Sequence, residues 1–136
     1  MRTFKHSIAA AGLASICIVG SAAAADMTGA EIQSLISGKT GYLKTGASSV
    51  TGAAGDGVIY WAADGSNVYK TPQGPVWHGT WSTKGNLYCS TYKEGPARPC
   101  MRVEKQGDTV NLIDSESGQL RAAIVKTAPG NAENLK

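Results

Sequence analysis

The stretch from Trp77 to Cys100, WHGTWSTKGNLYCSTYKEGPARPC, constrains the fold of this chain more than any other. It carries two of the three tryptophans, two of the five tyrosines, two of the three cysteines and one of the two histidines. Val76–Ser82 and Leu87–Thr91 read as strands on either side of a tight turn at Lys84-Gly85-Asn86. A second, longer turn over Glu94–Pro99 leads into Cys100. A disulfide between Cys89 and Cys100 is expected to close it. Such a stretch predicts the core of a small β-domain.

The start of the chain says where that domain is expected to work. Arg2, Lys5 and His6 give a positive start, Ile8–Gly20 is apolar, and Ser21-Ala22-Ala23-Ala24-Ala25 follows. A charged start, a short apolar run and an A-x-A site make up a secretory signal peptide. Residues 1–25 are therefore expected to leave by a cut between Ala25 and Asp26. The apolar run is too short for a bilayer core of roughly 30 Å. Bulky Ile16 and the continuing apolar run argue against lipid attachment at Cys17. The expected location is the periplasm or the exterior.

Cleavage removes 25 of the 136 residues and leaves 111, enough for one domain with one core. Loss of Arg2 and Lys5 takes Lys plus Arg from 13 to 11 against 10 acids, so the formal net charge falls from +3 to +1. The remaining cations are scattered singly, whereas phosphate binding needs clusters, so nucleic acid is not an expected partner. No transmembrane segment is expected once the signal is removed, and the expected state is a monomer. In an oxidising compartment Cys89 and Cys100 pair by default. Closing a loop of about a dozen residues stabilises a fold by roughly 3 kcal/mol in the chain-entropy model.

Met27–Gly38 predicts one short N-terminal helix. Thr28 and Glu31 stand at capping-box spacing, and Met27 can pack on Ile32 as a hydrophobic staple. Ile32, Leu35 and Ile36 share a face, and Gly38 is a natural stop. Thr40–Leu43 predicts a first strand, and the Gly-, Ala-, Ser- and Thr-rich segment Thr45–Gly57 reads as a loop. Strands follow at Val58–Ala62, Asn67–Lys70, Val76–Ser82, Leu87–Thr91, Cys100–Lys105, Thr109–Ile113 and Leu120–Val125, divided by turn residues. Asp64-Gly65 is the clearest hairpin turn among them. Seven or eight such strands predict a mainly β fold. It is a small antiparallel up-and-down barrel or half-barrel, lipocalin-like in outline, with one short N-terminal helix. Residues 26–127 form the single domain, and residues 128–136 read as a flexible tail.

Alternation places Trp77, Gly79 and Trp81 on one strand face. The two tryptophans either wall a binding surface or fill the barrel. With Tyr60 and Trp61 they make the candidate ligand-binding set: Trp61, Trp77, Trp81 and Tyr60. His78 is the only histidine beyond the leader. A zinc site needs three or four ligands, and no nucleophile motif surrounds a serine, so neither a metal nor a catalytic residue is assigned. No cofactor is expected. Asp56 and Asp64 flank Tyr60-Trp61 but sit beside glycines, where turn chemistry explains them. Tyr88 and Tyr92 share a face, either as a surface pair or packed against the helix. Arg98, Arg102 and Arg121 are the remaining residues of interest. Arg102, on the face of Cys100, is expected either to bind an anion or to pair with Glu104 or Glu116.

Tyr60-Trp61-Ala62-Ala63-Asp64-Gly65, then Gly79-Thr80-Trp81, Cys89, Cys100, Gly107-Asp108 and Pro129-Gly130-Asn131 carry a resemblance. In that order they resemble a family of short exported proteins of Gram-negative bacteria catalogued as a domain of unknown function. The opening TGAEIQSLISGKT also fits. The resemblance implies a secreted β-rich domain and supplies no activity. Two other small barrels are similar in outline. Lipocalins open with G-x-W, which is central here. Periplasmic protease inhibitors carry L-x-D-x-x-G, from which Leu112–Gly118 departs by one residue. The expected function is non-enzymatic binding of a small molecule or envelope component. The alternative is inhibition of a hydrolase, either a protease or a lysozyme, by Thr45–Gly57 or Glu94–Pro99.

Overall fold

A computed structural model of the chain describes residues 24–136. The expected leader lies outside the described residues except for Ala24 and Ala25. The elements in chain order are β1 (Ala25–Asp26), α1 (Gly29–Ile36), β2 (Lys39–Thr45), β3 (Gly55–Trp61), β4 (Ser66–Lys70), β5 (Val76–Lys84), β6 (Leu87–Tyr92), β7 (Met101–Gln106), β8 (Thr109–Asp114) and β9 (Leu120–Pro129). Strands β2 to β9 pair antiparallel in chain order, and β9 returns to β2. The result is a closed eight-stranded up-and-down barrel, so the expected barrel forms in full rather than as a half-barrel. Closure leaves no long free edge to recruit another chain.

Period-two alternation decides what fills the barrel. Ile59 and Trp61 on β3, Tyr69 on β4, Val103 on β7 and Leu112 on β8 point inward and are almost fully buried. Gly41 on β2 leaves the space that the Trp61 ring occupies. At Gly79, the glycine of Gly79-Thr80-Trp81, the Thr91 carbonyl oxygen stands where a Cβ would project. Any larger residue there would push β5 and β6 apart.

The helix forms as its local signals dictate. The Glu31 amide donates to Thr28 Oγ1 at 3.3 Å, and the Thr28 amide donates to Glu31 Oε2 at 2.7 Å. Reciprocal capping of this kind satisfies two donors that a helix start leaves free. Ile32 and Ile36 then enter the core beside Trp61, Tyr88 and Val103, with Leu35 packed against them. The helix is held to the β5–β6 turn by the Gly29 amide on Asn86 Oδ1 at 3.0 Å and Gln33 Nε2 on Thr83 Oγ1 at 3.0 Å. One end of the barrel is thereby corked. The described helix is not long and apolar enough to cross a membrane.

Most strand ends fall within two residues of the sequence expectation and the short β1 was not expected; three segments depart furthest. β3 begins at Gly55, because β2 and β3 pair along their full length from Lys39↔Trp61 to Thr45↔Gly55. The glycine-rich loop is therefore shorter than Thr45–Gly57. β9 runs to Pro129, four residues beyond Val125, through pairing with β2. The segment 128–136, which composition reads as a flexible tail, is tied to the barrel. Thr40 Oγ1 donates to the Gly130 carbonyl at 2.7 Å and accepts from the Ala132 amide at 3.0 Å. Tyr42 Oη donates to Glu133 Oε1 at 2.6 Å. Asn131 closes a small turn onto Leu135 through both ends of its side chain. Composition reads the tail's polarity correctly but is blind to partners some 90 residues away.

Candidate functional site

The far end of the barrel is built differently. Strands β6 and β7 share only two register pairs, Leu87↔Arg102 and Tyr88↔Met101. The lower edge of β7 is taken instead by β1, with Asp26 opposite Glu104, and by the Met27 amide on the Val103 carbonyl at 2.7 Å. Beyond Tyr88, β6 has no register partner on its β7 side. The Cys89 and Cys100 sulfurs lie at disulfide distance, 2.05 Å, with their Cα atoms 4.4 Å apart. The expected cysteine pair thus staples the seam where backbone pairing stops.

Above the helix-packed core lies a recess of about 50 Å³, floored by Trp61 and walled by Leu43, Ile59, Met101 and Ala122. Its outer edge comes from Ser49 and Val50 of loop 46–54 and from Arg98 and Pro99 of loop 93–100. At roughly 10–15 Å³ per water-sized group it has room for about four such groups. Sites for whole drug-sized ligands run to roughly 300–1,000 Å³. The barrel is essentially filled.

A buried ion pair holds the rim. The Asp114 carboxylate accepts from the Glu116 amide at 2.9 Å, the Ser117 amide at 2.8 Å and Arg121 Nε at 3.0 Å, with Arg121 Nη2 on the same oxygen. The Ser117 amide, followed by the Arg121 guanidinium, holds the Asp114 carboxyl well below the usual carboxylate range. Arg121 Nη1 donates onward to the Ser48 carbonyl at 2.7 Å, pinning loop 46–54 to the β8–β9 turn. Arg121 reaches this position through a β-bulge. Register passes from Leu112↔Ala122 to Ile113↔Leu120, which leaves Arg121 as the extra residue. A bulge re-aims a side chain. Strict alternation from Ala122 and Ile124 would point Leu120 inward and Arg121 outward. The bulge inverts this, leaving Leu120 52% exposed and Arg121 9%.

Three phenols line the recess beside Trp61: Tyr69, Tyr88 and Tyr92. Trp61 Nε1 donates to Tyr88 Oη at 2.8 Å, with the two rings edge to face. Burial pushes the Tyr69 phenol up to about 12 and raises Tyr88 and Tyr92 as well. All three phenols stay protonated at physiological pH and can donate or accept hydrogen bonds. Of the two alternatives for Tyr88 and Tyr92, Tyr88 takes the second, a core residue packed beside Ile32 and Ile36 of the helix. Tyr92 is partly buried against the core near Trp77, so the two are not a surface pair.

The four aromatic residues expected to form one ligand-binding face do not converge. Trp61 is fully buried and floors the recess. Tyr60, its neighbour in sequence, lies on the outer face, because successive strand residues point to opposite sides. Trp81 is buried near the helix end, with Nε1 donating to the Ala62 carbonyl at 2.8 Å. Trp77 is half-buried near the loop end, four residues or about 13 Å along the strand from Trp81. Its ring packs edge-on to Tyr69 at 6.5 Å and tilted against Tyr92 at 5.8 Å.

The other candidates fall into place individually. Asp64 Oδ1 accepts from the Ser66 amide at 2.8 Å, as turn chemistry predicts, and Asp56 pairs with Lys44 on the surface at 2.7 Å. Arg102 meets Asp26 at 2.7 Å and lies 3.9 Å from Glu104. His78 is partly exposed on β5 and bonds to Glu94 of the loop. Among the described residues, no group of three His, Cys, Asp or Glu side chains is placed to hold a metal ion.

The Asp114–Arg121 pair was not read from the sequence. The available signal was an arginine at the head of an otherwise apolar strand, LRAAIV, seven residues after an Asp in a turn sequence.

Comparison of the chain with protein-family models, with curated proteins and with solved structures finds no match.

Proposed function

We propose that this chain is an exported, non-enzymatic binding protein that works through the loop end of its barrel. The contrast between the two barrel ends carries the reading: the helix and its caps close one, while the other keeps an apolar recess rimmed by two loops. Barrel mouths and loops on a rigid scaffold are where binding sites concentrate. The recess accepts only the compact apolar end of a ligand, such as a branched methyl group or the tip of an acyl chain. The remainder would lie across the rim, where Arg98 makes no ion pair among the described residues and offers a positive charge. An envelope component with an apolar end and an anionic group fits those demands. Periplasmic or extracellular placement, and membership of the exported family that the sequence resembles, belong to the same proposal.

The test is the Trp61 indole N–H resonance, which reports on the floor of the recess. Short fatty acids, anionic phospholipid vesicles and peptidoglycan fragments are the ligands to add. At least one class should shift that resonance, and Ala122→Leu, which fills the recess, should abolish the shift. A spectrum unmoved by all three classes would remove the reading.

A second reading, inhibition of a hydrolase, is favoured by one observation. Loop 93–100 is an ordered, tethered segment rather than a slack connection. The Lys93 amide donates to the His78 carbonyl at 2.9 Å, and Glu94 accepts from both the His78 amide and its ring.

A further inference from the structure

Loop 93–100 has the properties of a pre-formed peptide ligand. Its base is clamped by the Cys89–Cys100 pair, eleven residues apart. Its first limb is fixed to β5 by Lys93 and Glu94. The Glu94 carboxylate takes the His78 amide on Oε2 at 2.7 Å and meets His78 Nδ1 through Oε1 at 2.9 Å. Gly95 lies flat on the Trp77 ring, where any Cβ would collide with the indole. That contact gives the half-buried Trp77 a role the sequence did not indicate: it is the seat of the loop.

Beyond Gly95 the chain runs Pro96-Ala97-Arg98-Pro99-Cys100 with no regular structure. Each proline fixes its own φ near −65° and biases the preceding residue toward extended backbone. Arg98, just before Pro99, is therefore biased toward the extended form in which peptides enter binding clefts. Pro96, Ala97 and Arg98 are exposed, and Arg98 makes no ion pair among the described residues. Other arginines on this barrel are engaged: Arg102 with Asp26 and Arg121 with Asp114. A backbone segment already held at several points loses little further backbone entropy on binding. Pre-organisation of this kind is a main route to affinity in small interfaces.

We infer that Pro96–Pro99 is a protein-docking loop whose Arg98 enters a carboxylate-floored pocket of an arginine-specific endopeptidase. This inference rests on the second reading above and names the partner's chemistry. Arginine matches a carboxylate through a rigid two-pronged fork, which lysine cannot reproduce. The bond that follows Arg98 leads to a proline nitrogen, which carries no N–H. The disulfide would also hold both sides of the loop together if that bond were strained in a cleft.

The experiment uses the processed, oxidised protein against trypsin, chymotrypsin and lysozyme. Trypsin should be inhibited with Arg98 intact after prolonged incubation, as read by mass spectrometry. Arg98→Ala and Arg98→Glu should each weaken inhibition about a hundredfold, the scale of an interface anchor. Arg98→Lys should weaken it less. Val125→Thr, on the exposed outer face of β9, should leave inhibition unchanged. Thermal melts should match for all the Arg98 variants, since the side chain is exposed. Inhibition of chymotrypsin or lysozyme alone would keep the second reading and overturn the role of Arg98. Rapid cleavage after Arg98, or no inhibition of any of the three enzymes, would overturn the inference.

Discussion

The two ends of this barrel are held by different kinds of interaction. At the helix end, local signals join longer ties, all around a buried apolar core. The local signals are a capping box three residues wide, an Asp64 turn closed on Ser66, and a helix face three to four residues apart. The ties run across 57 residues from Gly29 to Asn86 and 50 from Gln33 to Thr83. At the loop end the constraints are side-chain tethers between separate elements. Arg121 reaches back 73 residues to Ser48, Glu94 binds His78 across 16, and Cys89 meets Cys100 across 11. The helix end needs no ligand to be complete. The loop end uses its tethers to shape a rim around the recess.

Trp61 lies between the two ends, so its replacement is the largest expected effect. Trp61→Ala removes the largest fully buried side chain and leaves the Tyr88 hydroxyl without its indole donor. A loss of about 4 kcal/mol is expected, measured by urea unfolding. It should destabilise both ends together. If only one end loosened in hydrogen exchange, the single-core description would be wrong.

Next comes the seam. Cys89→Ser with Cys100→Ser should cost about 3 kcal/mol, from release of the eleven-residue closure. Added mobility should be confined to loop 93–100 and upper β6, because β7 keeps its pairing to β8 through six register pairs. Uniform loosening, read by residue-resolved hydrogen exchange, would mean that the two ends are not independent.

A smaller effect sharpens the other side of the comparison. Thr28→Ala deletes the N-cap acceptor for the Glu31 amide and should cost about 1 kcal/mol. The helix end should fray while the Trp61 indole environment at the recess persists, as followed by NMR.

The smallest effect is a pH dependence of the loop alone. The Glu94 carboxylate, by its hydrogen bond, raises His78 above its ordinary 6.5. The His78 ring and amide lower Glu94 below its ordinary 4.5. The His78 contribution is fully present below pH 6.5 and is lost as pH rises through its raised value. The Glu94 contribution is present above pH 4.5 and is lost as pH falls through its lowered value. Protection of the Lys93 amide should therefore be greatest between those limits and should decline on the alkaline side. It should not vanish there, because Glu94 still accepts from the His78 amide. Amides of the helix end should stay flat on the alkaline side. His78→Ala should abolish the alkaline decline; a decline that persisted would assign it to another group.

What the sequence determined by itself is whatever depends on neighbours within a few residues. The helix and its cap, the turn at Asp64-Gly65, the strand succession from Val58 and the pairing of Cys89 with Cys100 were all legible. Their hydrogen bonds and periodicities are local, or leave only one partner available. Closure of β9 onto β2, the two-pair overlap of β6 and β7, and anchorage of the tail at Thr40 were decided by tertiary structure. Each is a pairing between distant segments whose register no local pattern specifies. The same holds for the candidate site. Trp61 floors the recess, but Tyr60 was grouped with it although alternation sends the two rings to opposite faces. Arg121 and Asp114 became partners only because a bulge turned one strand residue inward. Whether the aromatics enclose a cavity or fill one is a matter of packed volume. It depends on the summed fit of side chains from every strand, which appears only when the barrel closes.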